Sequence, residues 1–250
     1  MSIGSAVVAL AAAPRLLMMT DYDGTLSPLV ADPRRALPDD ATKSVLGELA
    51  ALPDTVVAVV SGRRLSDLVA FLDVPELLLI GGHGAETGEP VELDDARRLA
   101  LGRVVSELEG IAGLAEGAFV EVKETSAVLH VRQVKPDGER LRALALDGPA
   151  HIPGVRVMIG KELVELSVSE MDKGVAVTRL RARYPGGIAC FIGDDVTDED
   201  AFAALEPPDF GVKVGQGETS ANLRLDGQEE VTPLLQAICR LRKERISSVP

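Results

Sequence analysis

Five short runs of this chain are apolar almost throughout instead of alternating: residues 16–20, 55–60, 77–80, 188–192 and 210–214. A strand with one open face alternates polar with apolar. A strand covered on both faces reads as a continuous apolar run, which is the pattern of a parallel sheet. Helical patterns lie between the runs. Residues 39–52 follow Pro38, 65–72 follow a Ser-Gly turn, and 173–184 stop at Pro185-Gly186-Gly187. Thr197 is expected to cap a helix over 198–205, and a last helix covers about 230–244. Strands alternating with helices predict a doubly wound, Rossmann-like α/β domain.

The middle of the chain has a different rhythm. From 91 to 167 the order is helix (94–109), strand (118–123), strand (127–132), helix (136–146), strand (155–159), strand (162–166). Its strands come in pairs and alternate, as in VEVKE and VLHVR. That suits an antiparallel sheet with one open face. The expected organisation is a discontinuous core domain, 1–90 and 168–250, carrying an inserted α+β unit, αββαββ, over 91–167.

Composition narrows the function classes. The formal charge of -13 opposes nucleic-acid backbones and anionic membranes as partners, and aromatics at 3% leave few platforms for stacking bases. A small phosphate remains possible, because a metal ion reverses the local field. The segment 5–14, SAVVALAAAP, faintly resembles a secretory signal, but no basic stretch precedes it and its apolar part is short. Cys190 and Cys239 read as core residues, which fits a cytoplasmic protein. The sequence does not speak to oligomeric state.

Polar clusters follow the strands. Asp21-Tyr22-Asp23-Gly24-Thr25 comes directly after the first apolar run, at the edge where open α/β folds bind ligands. Asp21 there can act as a nucleophile forming an aspartyl-phosphate, and Asp23 as the general acid and then base. An acidic turn explains the second Asp and the Gly but not the first Asp. Ser61, in VVSGR, can donate to a phosphate oxygen beside a helix N-terminus, although alone it reads as a simple helix cap. Lys173 opens a helix, against the helix dipole, which calls for an anionic partner; the functional reading pairs it with Asp21 and the phosphate, and alone it reads as a surface lysine. Asp194, Asp195 and Asp198 lie in GDDVTDED, an acid density that a hard cation such as Mg2+ would relieve. Together these supply a nucleophile, an acid/base, a phosphate donor, a cation and a metal site.

Acid pair, Ser, Lys and acid cluster, in that order, resemble the phosphatases of the haloacid dehalogenase superfamily, and the insertion resembles their C2B-type cap. DYDGTLSPLVADP, VVSGR, GGHGAE, GDDVTDEDAF and VKVGQGETSANLRL resemble the trehalose-6-phosphate phosphatases, as does VEVKETSAVLHVR in the insertion. The resemblance implies a Mg2+-dependent phosphoric monoester hydrolase that takes a small phosphorylated sugar. Asp21, the Asp23 carbonyl and Asp194 would hold Mg2+, with Asp195 and Asp198 orienting its waters. Glu121, Lys123 and Glu165 would bind sugar hydroxyls, supported by His130 and Arg132, although Glu121 and Lys123 also suit a solvated strand face. His83 and Arg63 would complete the substrate site. Ser167 departs from the family, which usually places Arg there. The departure leaves open another sugar or pseudo-disaccharide phosphate as substrate. A third reading is a non-catalytic sugar-phosphate-binding protein, but Asp21, Asp23 and Lys173 are all retained.

Overall fold

A computed structural model describes residues 2–30, 32–88, 93–160 and 162–247. The chain separates into two compact units, Met1–Gly88 with Met171–Pro250, and Glu89–Glu170. The expected boundary at 90–91 lies outside the described residues.

The first unit is built on a six-stranded parallel sheet. Its strands are β1 (Leu16–Thr20), β2 (Thr55–Val60), β3 (Leu78–Ile80), β8 (Ile188–Gly193), β9 (Phe210–Val214) and β10 (Leu223–Leu225), in the order β10-β9-β8-β1-β2-β3. Helices α1 (Ile3–Ala12), α2 (Asp40–Ala50), α3 (Leu65–Leu72), α6 (Lys173–Arg183), α7 (Thr197–Ala203) and α8 (Val231–Ser247) complete it. The apolar runs now have their physical reason. Leu16, Met18, Val57, Val59, Cys190 and Ile192 point to one face and pack with Leu46, Leu49, Leu235 and Ile238. Leu17, Met19, Ala58, Val60, Ala189 and Phe191 point to the other and pack with Ala176, Val177, Leu180 and Phe202. Alternate residues of each strand are buried on opposite sides, so neither face needs polar side chains.

Strand order reverses between β1 and β8, and both run parallel in register, Thr20 beside Ile192 on one side and beside Val59 of β2 on the other. Residues just past these strands therefore gather at one sheet edge, at the switch point of an open α/β sheet.

Three local expectations change. Thr197 does not cap α7; it is the first helical residue, and Val196 before it makes no side-chain cap bond. The N-terminal apolar segment is the helix α1, opened by a Ser2–Ser5 capping box, with Ala6, Val7, Leu10 and Ala11 buried. Buried Arg242 of α8 ties the segment down, donating to the carbonyl of Ala13 (2.7 Å) and to Thr55 Oγ1 (2.7 Å). Strand β10 is three residues long, too short for its pattern to stand out.

The second unit contains α4 (Asp95–Ala112), β4 (Phe119–Val122), β5 (Ser126–His130), α5 (Gly138–Asp147), β6 (Arg156–Gly160) and β7 (Leu163–Ser167). Its four strands form an antiparallel sheet in the order β4-β5-β7-β6. Ala127, Leu129, Val164 and Leu166 share one face and pack on Val104, Leu108, Leu141 and Ala145 of the helices. Period-2 alternation places Glu121, Val128, Glu165 and Met158 side by side on the other face.

Candidate active site

Asp21 follows β1 directly and is buried; its backbone N–H donates to the carbonyl of Ile192 at 2.8 Å. Lys173 Nζ lies 2.8 Å from Asp21 Oδ1 and 2.7 Å from Asp198 Oδ1, with the lysine side chain 2% exposed. The sequence oddity of a lysine in a first helical turn is thus resolved by two buried anions. Asp172 caps the same helix, accepting from Val175 N at 2.8 Å, and offsets the positive helix end.

Asp194 joins this pair. One carboxylate oxygen each from Asp21, Asp194 and Asp198 lies within 4.8 Å of the others. Two glycines make room. Gly24 has φ +78°, and a Cβ there would fall 2.1 Å from Asp194 Oδ2; a Cβ on Gly193 would fall 2.3 Å from Asp198 Cγ. Thr25 Oγ1 donates to Asp194 Oδ1 at 3.4 Å, and Asp195 N donates to Asp198 Oδ2 at 2.8 Å.

The electrostatics are those of an anionic cluster with too little positive charge. Burial raises the pKa of Asp21 well above the usual carboxylate value; Lys173 opposes the rise, and Asp198 and Asp194 add to it. Burial, then Asp198 and Asp195, push Asp194 up to about 6. Burial works against the charge on Lys173, but Asp21 and Asp198 more than offset it and hold its pKa above the usual lysine value. Three hard oxygens from two segments, their carboxylates only partly offset by Lys173, fit a cation that prefers carboxylates and keeps its own water, as Mg2+ does.

The structure does not bring every expected residue into this group. Asp195 is exposed, and its side chain accepts from Val196 N at 2.8 Å. Asp23 turns its carboxylate to Arg63 (2.6 and 2.7 Å). Ser61 is buried at the end of β2, and its hydroxyl accepts from Arg63 N at 3.2 Å, which leaves its proton to donate. His83 adopts φ 55°, in the left-handed region, with its ring set against the Ser61-Gly62-Arg63 turn: a Cβ on Gly62 would lie 2.4 Å from His83 Nε2.

Lys213 was not foreseen. It is buried in β9 and donates to the Asp194 carbonyl, holding the loop that presents Asp194. A single lysine inside the apolar run FGVKV was the available signal.

In the second unit, Lys123 Nζ donates to both oxygens of Glu165 at 3.1 Å, and Ser126 Oγ donates to Glu165 Oε1 at 2.6 Å. Glu121 Oε2 sits 3.0 Å from His130 Nε2, and the His130 ring stacks on Phe119 at 4.5 Å. Arg132 pairs with Glu162, at 2.9 Å and half-exposed. Ser167 Oγ donates to the Thr125 carbonyl at 3.3 Å and accepts from Ser169 N at 3.1 Å.

No helix among the described residues is long and apolar enough to cross a membrane. Residues 19–229 match the family model described as trehalose-phosphatase. The chain is 32% identical over 228 residues to the trehalose-6-phosphate phosphatase of Escherichia coli, an alignment covering 87% of this chain and 84% of that protein. It is 33% identical over 244 residues to the bifunctional trehalose-6-phosphate synthase/phosphatase of Thermoproteus tenax, covering 91% of this chain but 32% of that protein, so it spans about a third of that larger relative. The C-terminal domain of C. albicans trehalose-6-phosphate phosphatase superimposes with a TM-score of 0.82 over 96% of this chain and 98% of that one, at 24% identity, a likeness of fold. With a haloacid-dehalogenase-type fold and a match spanning both units, the chain belongs to the trehalose-phosphatase family.

Proposed function

We propose that this chain hydrolyses trehalose 6-phosphate, with Asp21 as a covalent nucleophile. The observation that carries the reading is the cluster of buried Asp21, Lys173 and Asp198 with half-buried Asp194 at the switch point of the sheet. Asp21, Asp194 and Asp198 would hold Mg2+, with the Asp23 carbonyl as a further oxygen. Bound there, the ion would neutralise charge on the phosphoryl oxygens.

Asp21 attacks phosphorus in line. The P–O bond to the sugar breaks, its electron pair goes to the sugar oxygen, and Asp23 protonates that oxygen. Lys173 orients Asp21 and, with the Ser61 hydroxyl, stabilises the equatorial phosphoryl oxygens. Asp23, now ionised, takes a proton from water as the water attacks the aspartyl-phosphate, releasing phosphate and restoring Asp21. The inserted unit supplies sugar recognition through Glu121, Lys123 and Glu165, whose carboxylates and ammonium group suit hydroxyls that both donate and accept. Two buried free cysteines suit a reducing cytoplasm.

Ser167 favours a second substrate reading. Where the family usually has Arg, a short hydroxyl bonds to its neighbours' backbone, so position 167 itself supplies no cation, although Arg156 lies beside it on β6. Another sugar or pseudo-disaccharide phosphate would tolerate that loss.

A phosphate-release screen with Mg2+ over mono- and disaccharide phosphates tests both readings. Highest kcat/KM is expected for trehalose 6-phosphate, and Asp21→Asn should release no phosphate above background. A clear preference for a different sugar phosphate moves the substrate assignment to the second reading. Undiminished release by Asp21→Asn removes the covalent mechanism.

A further inference from the structure

Arg63 is committed to Asp23. Its Nε lies 2.7 Å from Asp23 Oδ2 and its Nη2 lies 2.6 Å from Asp23 Oδ1, a two-pronged pair that fixes the plane of the carboxylate as well as its place. The same Nη2 donates to the Pro33 carbonyl at 2.9 Å. The guanidinium carbon sits 5.1 Å from the centre of the Tyr22 ring and 5.2 Å from that of Phe71. Tyr22 is fully buried, and its hydroxyl donates to the Ala36 carbonyl at 2.8 Å, so this platform is itself held. In a chain with 2 Tyr and 5 Phe, two of these rings flank one guanidinium. The Arg63 side chain is 11% exposed and that of Asp23 37%, so the arginine is the anchored partner and the carboxylate the presented one.

We infer that Arg63 is a positioning residue for Asp23, not a ligand of the substrate, and that Tyr22 and Phe71 hold its guanidinium at the required place. The inference rests on the acid/base role proposed for Asp23. The fork of Arg63 is already engaged by the Asp23 carboxyl group, so recruiting it to the substrate phosphate would cost the aim of the group that protonates the leaving oxygen. Lysine cannot replace it, because a point charge on a flexible stem does not fix the plane of a carboxylate.

A residue acting through a general acid has a signature that a structural residue lacks. A sugar alkoxide leaves with difficulty unless protonated, whereas p-nitrophenolate leaves unaided. kcat/KM, which reports the first phosphoryl transfer, is to be measured for a sugar phosphate and for p-nitrophenyl phosphate. The proteins are the intact wild type, Asp23→Asn, Arg63→Gln, Arg63→Lys, Phe71→Leu and the Asp23→Asn/Arg63→Gln pair, each checked for folding by thermal unfolding. Asp23→Asn is expected to lose on the order of 100-fold more activity on the sugar ester than on the aryl ester. Arg63→Gln should show the same bias at roughly tenfold, Arg63→Lys only partial recovery, and Phe71→Leu a weaker bias in the same direction. The double variant should be no worse than Asp23→Asn alone.

Equal losses on both esters for Arg63→Gln, or a change confined to KM, overturn the inference while leaving the role of Asp23 intact. Absence of bias in Asp23→Asn itself overturns both. If Arg63→Gln does not fold, Phe71→Leu decides: a bias supports the inference, and none overturns it.

Discussion

Gly24 and Asp194 meet with no room for another carbon: a Cβ on Gly24 would fall 2.1 Å from Asp194 Oδ2, on a backbone whose φ is +78°. The first acidic motif is therefore shaped to admit a side chain from the last one, across the β1–β8 junction. Gly24→Ala should displace the Asp194 carboxylate from Asp21 and Asp198. The strained backbone would cost about 1–3 kcal/mol, which the fold should survive. A displacement of about 1 Å at a reacting centre costs on the order of 100-fold in rate. Calorimetry should show weakened Mg2+ binding together with the loss of phosphate release. Wild-type affinity and turnover in a folded Gly24→Ala would mean that the loop yields freely.

Lys173 is the only cation bonded to both Asp21 and Asp198 among the described residues. Removing it strands two buried carboxylates, and breaking a buried pair costs about 3–5 kcal/mol. Lys173→Met is expected to lower metal-free stability by that order in urea unfolding. Saturating Mg2+ should recover part of the loss, since it supplies positive charge to the same oxygens. Turnover should stay low, because the lysine also faces the nucleophile. A Lys173→Met protein as stable as wild type without Mg2+ would contradict the ion-pair account.

Asp194 gives a pH dependence whose sign can be worked out. Its ordinary value is 3.8, and burial pushes it up to about 6 in the fold. Below the ordinary value both folded and unfolded chains hold the proton, and the group is neutral to stability. Between the two values the folded chain binds more protons, so rising pH costs stability, and the cost is complete above about 6. Asp21 is raised in the same sense, first by burial. A cation that needs these groups ionised removes the penalty. The increase in Tm on adding Mg2+ should therefore be small at pH 5 and larger by several degrees at pH 7.5. An increase no larger at pH 7.5 than at pH 5 would show that the ion does not bind at Asp194.

The sheet could be read from the sequence because burial on both faces leaves strands such as LLMMT and IACFIG with no charged residue to obscure them. The acid clusters were legible for a related reason: they sit where those runs end. One pairing across the fold was legible too, Lys173 with Asp21, which the structure places 2.8 Å apart; the others were not. That Asp198 joins Asp21 while Asp195 stays exposed depends on how α7 turns after Gly193, which a run of acids does not encode. The partners of Arg63 and Lys213 lie in distant segments, and only the closed sheet brings them together. The Arg132–Glu162 pair likewise joins residues just outside the ends of β5 and β7.

Lys123 and Glu165 form a pair whose side chains are 8% and 7% exposed, at 3.1 Å, with Ser126 as a third partner. A buried pair need not stabilise more than apolar residues of the same size, so one this enclosed calls for a reason beyond stability. If the reason is sugar recognition, stability and specificity should separate. Lys123→Met and Glu165→Gln alone should each cost stability, by about 3–5 kcal/mol for the one that strands the carboxylate. The Lys123→Met/Glu165→Met protein should recover much of that loss, because both charges are gone. Its kcat/KM for a disaccharide phosphate should still fall well below wild type, while that for p-nitrophenyl phosphate changes little. A double variant that keeps the full preference for the sugar ester would assign the pair to the architecture of the second unit and return sugar recognition to Glu121 and His130.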